Sequence, residues 1–132
     1  MIVVDANVIA YLLIPGQHTA AAEQLLMQDL DWAAPRLWRS EVRNVLANYV
    51  RAGQMDWTDA TLLFDRAALI LGDNEFEVET SEVLRLSKAS GCSAYDCEYV
   101  ALADFLDLRF VTADAKLRRA FPQRAEALGV AS

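Results

Sequence analysis

The sequence has little with which to build a disulfide framework, a histidine-based active site or a membrane anchor. Its two cysteines, Cys92 and Cys97, have neither CxxC nor zinc-motif spacing. Both read as free thiols of a reducing cytosol. The one histidine, His18, follows Pro15-Gly16 in an expected exposed loop. With no partner histidine it reads as a surface residue rather than a catalytic base. No apolar run approaches the ~18 residues needed to span a bilayer. The N-terminus has no basic region ahead of its apolar residues, so a signal peptide is not expected. Repeats, low-complexity stretches and linkers are also missing. So is a basic footprint: the net charge is −7. The chain stays acidic even when the four carboxylates discussed below are set aside. Any contact with nucleic acid must then come from a local basic strip, and a basic protein partner fits the overall charge equally well.

What is present is a largely apolar chain of 132 residues, enough for one domain with a single core. The apolar fraction is 55%, above the usual range, and the excess fits surface that meets a partner. Met1-Ile-Val-Val runs straight into Asp5, and a helical apolar pattern follows at once. The run does not alternate, which predicts a strand covered on both faces. Pro15-Gly16 breaks the first helix, and a second is expected from about Thr19 to Leu30. Trp32-Ala-Ala34 is a candidate strand. Pro35 suits the first position of a third helix, Arg36 to about Arg51, with Gly53 past its end. Trp57-Thr58 opens a fourth helix ending near Gly72, and Glu75 to Val78 is a short possible strand. Thr80 is the expected cap of a fifth helix, and Ser93 opens a sixth to about Leu106. Arg109 to Thr112 reads as a strand, Asp114 as the start of a short helix, and Ala125 to Val130 as an edge strand. Strands separated by helices predict an α/β fold with a short parallel sheet. The helix pair from Arg36 to Gly72, with no strand between its members, is expected to form a helical arm and docking surface. Trp38 and Trp57 are expected in the core of that arm, with anchoring of a partner as the alternative.

Four acids stand out. Asp5 ends the first strand and Asp114 follows the strand Arg109 to Thr112; each suits the N-cap of the next helix. Ser93-Ala-Tyr-Asp96 has the form of a capping box. Glu41 lies about 40° from Val45 around its helix, at the edge of the apolar stripe, where a cap role does not apply. Capping accounts for the aspartates singly. It does not account for two of them ending neighbouring parallel strands while a third opens a helix that enters one of those strands. Ligand sites of open α/β sheets lie outside the carboxyl ends of the strands. Carboxylates crowded there repel unless a cation or proton is shared. All-oxygen ligands suit Mg²⁺ or Mn²⁺.

The blocks Val3-Val-Asp-Ala-Asn-Val-Ile9, Ser40-Glu-Val-Arg-Asn-Val-Leu46, Ser93 to Ala103 and Phe110-Val-Thr-Ala-Asp114 resemble the four signature blocks of PIN-domain ribonucleases. The likeness is nearest to VapC-type toxins of bacterial toxin–antitoxin pairs and covers nearly the whole chain in order. It implies a PIN-like three-layer fold, a Mg²⁺- or Mn²⁺-dependent endoribonuclease, a homodimer and a cognate antitoxin. It assigns the acidic roles to Asp5, Glu41, Asp96 and Asp114, and supporting hydrogen bonds to Asn7 and Thr112. Glu98 is left open as a ligand.

Arg36, Arg39 and Arg43, on the helix of Glu41, and Lys116, after Asp114, are candidates to hold RNA phosphates; each also suits ordinary solvated helix surface. Two rival readings stand beside the nuclease. A haloacid-dehalogenase-like phosphatase also places an aspartate after its first strand, but it needs a second one where this chain has Asn7. A non-catalytic RNA-binding or interaction module of PIN-like fold would keep the architecture without the chemistry.

Overall fold

A computed structural model describes residues 1–129. Five strands, β1 (Ile2–Val4), β2 (Trp32–Pro35), β3 (Glu75–Phe76), β4 (Phe110–Thr112) and β5 (Ala125–Ala127), form one sheet in the order β3-β2-β1-β4-β5. Every pairing is parallel. Parallel neighbours require crossovers, and the crossovers are helical. The seven helices are α1 (Ala6–Leu13), α2 (Thr19–Gln28), α3 (Trp38–Arg51), α4 (Trp57–Leu71), α5 (Thr80–Ser90), α6 (Ala94–Leu106) and α7 (Ala115–Ala120).

The central strand is β1. Its three residues are fully buried, as the unbroken apolar run predicts. Helices α1 to α4 pack among themselves to make one layer, while α6 lies on β1, β2 and β4 with α5 against it. The core runs between them through Val3, Val4, Val8, Ile9, Trp32, Trp38, Tyr99, Leu102 and Phe110. Because β1 pairs with β4 in parallel, its carboxyl end lies beside that of β4. Val3 pairs with Phe110 and Val4 with Val111, so Asp5 follows β1 at the level where Thr112 closes β4.

The arm expected from Arg36 to Gly72 is the pair α3 and α4, rooted on α1, with α4 also touching β2. Its start differs from the expectation. Pro35 does not open α3 but closes β2, opposite Phe76 of β3. The Ala34 and Arg36 N–H groups donate to Asn74 and Phe76 across that edge. By alternation Pro35's nitrogen faces the other side, beyond the last β1–β2 pair, Val3 with Ala33, where no N–H is needed. The helix begins at Trp38, held by Glu75 of β3. Trp38 Nε1 donates to Glu75 Oε1 at 2.5 Å and Arg39 Nε donates to the same atom at 2.6 Å. Thr80 is the first residue of α5 rather than its cap, which is Glu79 in an extended conformation. Trp57 is not in the core: it is 74% exposed, while Trp38 is fully buried. Strand β5 ends at Ala127, short of the expected Val130, which lies outside the described residues. Both cysteines are free and buried. Among the described residues no helix is long and apolar enough to cross a membrane.

This difference between the tryptophans sets a test. Trp38→Ala removes a buried ring and its hydrogen bond to Glu75, and is expected to destabilise by about 3–5 kcal/mol in urea unfolding. Trp57→Ala is expected to stay within about 0.5 kcal/mol of wild type. Equal costs at the two positions would contradict the packing described.

Candidate active site

At the carboxyl ends of β1 and β4 the chain opens into a cleft of approximately 390 Å³. All four acids singled out in the sequence line it: Asp5, Glu41, Asp96 and Asp114. Asn7 lines it as well. Thr112 lies beneath, completely buried.

Each aspartate is placed by local backbone rules. Asp5 caps α1, its Oδ1 accepting from the Val8 N–H at 2.9 Å. Asp114 caps α7, accepting from Lys116 N–H at 2.8 Å and Leu117 N–H at 3.4 Å. Asp96 sits in the first turn of α6, with its N–H donated to the Ser93 hydroxyl at 3.1 Å. Capping and cleft-lining thus coincide in these residues. Thr112 joins the two strand ends: its hydroxyl donates to Asp5 Oδ2 and accepts the Asp114 N–H at 3.0 Å. A third donor, the Ala113 N–H, reaches Asp5 Oδ2 at 3.4 Å.

Glu41 arrives differently. Because α3 starts at Trp38, Glu41 falls in its first turn, nearer the positive end of the helix than the sequence reading placed it. The cleft face of α3 is Leu37, Ser40, Glu41, Asn44 and Val45, a stripe at helical spacing. Glu41 Oε1 accepts a hydrogen bond of 2.6 Å from the hydroxyl of Tyr99, a ring buried in α6.

The electrostatics link the acids. Burial pushes the Asp5 carboxyl above its ordinary value, and the charge of Asp114 adds to this, against hydrogen bonds from Thr112, Val8 and Ala113. Burial pushes Asp96 up, and Asp114 again adds, opposed by Ser93 and Lys116. Glu41 is pushed up by burial first, then by Asp96, Asp5 and Glu98, against the Tyr99 hydrogen bond. The charge of Asp114 thus acts on both Asp5 and Asp96, and those two act in turn on Glu41. Burial also raises Glu98. Tyr99 holds its proton more tightly than a free phenol, chiefly through burial and then through Glu41.

The basic candidates are placed unevenly. Lys116 stands close enough to Asp96 to favour its charged form, with Nζ 3.4 Å from the Gly91 carbonyl oxygen. Arg36, just ahead of α3, and Arg39 and Arg43 on it are not in the cleft lining. Arg39 is engaged by Glu75, and its guanidinium lies 5.8 Å from the ring of Phe64 on α4. Arg43 lies over the same ring at 4.6 Å, and Arg36 faces Glu77 at 3.9 Å. Tyr99, Tyr95, Ser40 and Asn44 also line the cleft, although the sequence motifs do not single them out. The two α3 residues were reachable from the helical spacing that contains Glu41; Tyr99 lies three residues beyond Asp96, one turn along the same helix.

The PIN domain family model matches residues 2–121. The chain belongs to the PIN-domain family. The resemblance read from the four blocks is therefore borne out at family level. Ribonuclease VapC3 of Pyrobaculum aerophilum is 27% identical over 124 residues, covering 92% of this chain and 95% of that protein. The crystal structure of PAE2754 from Pyrobaculum aerophilum superposes with a TM-score of 0.76 at 24% identity, covering 96% of this chain and 89% of that one. A toxin–antitoxin complex from Klebsiella pneumoniae gives a TM-score of 0.65 at 16% identity, with 96% of each chain covered. These likenesses agree with the mixed α/β PIN fold built from the strands above, and family membership sets aside the phosphatase rival.

Asp5 supplies a pH test with a defined sign. Its folded pKa lies above the ordinary 3.8. The stability it contributes is therefore full below the unfolded value and lost as pH rises through the folded one. In metal-free protein, Asp5→Asn removes this dependence. The melting temperature of the Asn variant is expected to gain on wild type as pH is raised from about 4 to 8. A constant difference across that range would contradict the environment described for Asp5.

Proposed function

We propose that the cleft is the active site of a divalent-metal-dependent endoribonuclease that hydrolyses RNA phosphodiesters, the toxin of a type II toxin–antitoxin pair. The observation that carries this reading is the gathering of four carboxylates, Asp5, Glu41, Asp96 and Asp114, around one cleft at the strand ends of a PIN-family chain. Crowded acids of this kind favour a bound cation.

The donor set suits Mg²⁺ or Mn²⁺. It is all oxygen, with polar neighbours in Ser40, Asn44 and Asn7. Among the described residues no three His, Cys, Asp or Glu side chains already close on a single point. Mg²⁺ commonly keeps several of its waters and takes only one or two carboxylates directly. Asp5, Asp96 and Asp114 would hold it, directly or through water, with Glu41 completing the set. When bound, such an ion neutralises charge on the phosphodiester and activates water. Glu41, whose proton affinity is raised, orients the attacking water and takes its proton. Thr112 keeps Asp5 and Asp114 in register. Lys116, beside Asp96, is the cation best placed for a substrate phosphate. Tyr95 lines the mouth of the cleft with 65% of its surface exposed, a face on which an unstacked base can lie. That favours single-stranded RNA. By family resemblance the products carry a 5′-phosphate and a 3′-hydroxyl.

The partner reading rests on the arm. A groove of approximately 600 Å³ runs between α3 and α4, lined by Leu46, Val50, Trp57 and Phe64 and edged by Arg43 and Arg51. With Trp57 exposed at its margin, it suits an apolar segment of a small antitoxin. A homodimer is part of the same reading.

Asp96→Asn decides between enzyme and binding module. If Asp96 only serves its helix, the change costs about 0.3–1 kcal/mol of stability and leaves activity in place. The proposed role predicts an unchanged fold by circular dichroism with Mn²⁺-dependent cleavage of a single-stranded RNA reduced by about 10²-fold or more. Full cleavage by the purified variant, controlled for contaminating ribonuclease, would remove Asp96 from the site.

A further inference from the structure

We propose that Tyr99 is a positioning residue for Glu41, its buried hydroxyl fixing where that carboxylate stands in the cleft. The inference rests on the nuclease reading and adds to it a residue outside the four acids.

Glu41 sits, like Asp96, in the first turn of its helix, but the N-cap of that helix, Leu37, makes no side-chain cap bond. Asp5 and Asp114 are clamped by N–H groups of the helices they cap, and Asp96 sits on the first turn of its own helix. Glu41 has one more methylene than an aspartate and projects from α3, an element joined to the sheet at its other side through Glu75, Trp38 and Arg39. Its carboxylate is held from across the cleft, by the hydroxyl of a residue 58 positions away in sequence. That hydroxyl is itself rigidly placed. Tyr99 is 2% exposed, and its ring stacks on Phe110 at 5.7 Å between centroids and 14° between planes. Phe110 belongs to β4 and pairs with Val3 of β1, so it rides on the two strands that carry Asp114 and Asp5. The chain of contacts Phe110, Tyr99, Glu41 thus sets the fourth acid by the same strands that set two of the others. The bond engages Oε1 of a carboxylate that lines the cleft. Hydrogen-bonding partners of this kind typically govern affinity and rate by orienting a ligating or reacting group.

Tyr99→Phe keeps the ring and its stacking and deletes the hydroxyl. Two quantities are measured on the full chain: the Mn²⁺ dissociation constant by calorimetry without RNA, and kcat and KM on a single-stranded RNA. Expected is a loss of roughly 10–100-fold in Mn²⁺ affinity or kcat, with KM for RNA little changed. In a Glu41→Gln background the same change is expected to add nothing, because Tyr99 acts through that carboxylate. Should Tyr99→Phe fail to fold, Glu41→Asp carries the test. It keeps the charge but withdraws the carboxylate from the phenol by one methylene, and is expected to lose affinity or kcat in the same range. Wild-type Mn²⁺ affinity and kcat in the variant that folds overturn the inference, as do losses that multiply fully in the double variant. A wild-type chain that neither binds Mn²⁺ nor cleaves RNA overturns the nuclease reading itself, a result distinct from an active wild type with an unaffected Tyr99→Phe.

Discussion

The pairing of β1 with β4 is the constraint on which the rest depends. With Val3 beside Phe110 and Val4 beside Val111, two strands 107 residues apart end at the same level, where the Thr112 hydroxyl meets Asp5. A shift of one residue would turn every side chain of β1 to the other face. It would also part Asp5 from the hydroxyl that holds it. The register is protected by burial: Val3, Val4, Phe110 and Val111 are all in the core, so the fold resists the slip that would dismantle the site. The apolar strands thus hold carboxylates whose mutual repulsion would otherwise drive them apart.

The arrangement shows how a helix cap and a cleft-lining acid can be one residue. An N-cap aspartate accepts N–H groups at a helix start and so has its rotamer fixed by backbone geometry. In an α/β sheet the start of the next helix is also where the strand ends open into a ligand cleft. Asp5 and Asp114 use both facts. Glu41 cannot, being inside a helix, and its place is taken from Tyr99 instead. The raised carboxyl pKa values come first from burial; Asp114 adds second for Asp96 and, as the smallest contribution, for Asp5.

Much of this was legible in the sequence because it is local. An apolar run ending in aspartate, a Ser93-x-x-Asp96 box, and an aspartate two residues past a strand each predict their own backbone, and the strands assemble in the expected parallel way. Glu41 was legible through its odd position on an apolar stripe. What escaped depended on distant partners. Arg39 reads as a phosphate-facing cation until Glu75, 36 residues on, is seen to engage it. Pro35 has a good helix-start signature, but its strand's pairing with β3 carries the chain further before it turns. Trp57 looks like core by residue type, and only the packing of α4 shows that its side faces outward. Tyr99 was invisible because its meaning is a hydrogen bond to another helix.

The central claim is that four acids act as one charged unit that favours a cation. If burial and mutual repulsion keep protons on some of them, an ion entering the cleft must expel those protons. Calorimetric titration of Mn²⁺ at about pH 6, in two buffers of different ionisation enthalpy, measures that release directly. The account predicts proton release on binding to the wild-type chain, reduced in both Asp5→Asn and Glu41→Gln along with affinity. Mn²⁺ binding without proton release, or with affinity indifferent to both substitutions, would contradict it.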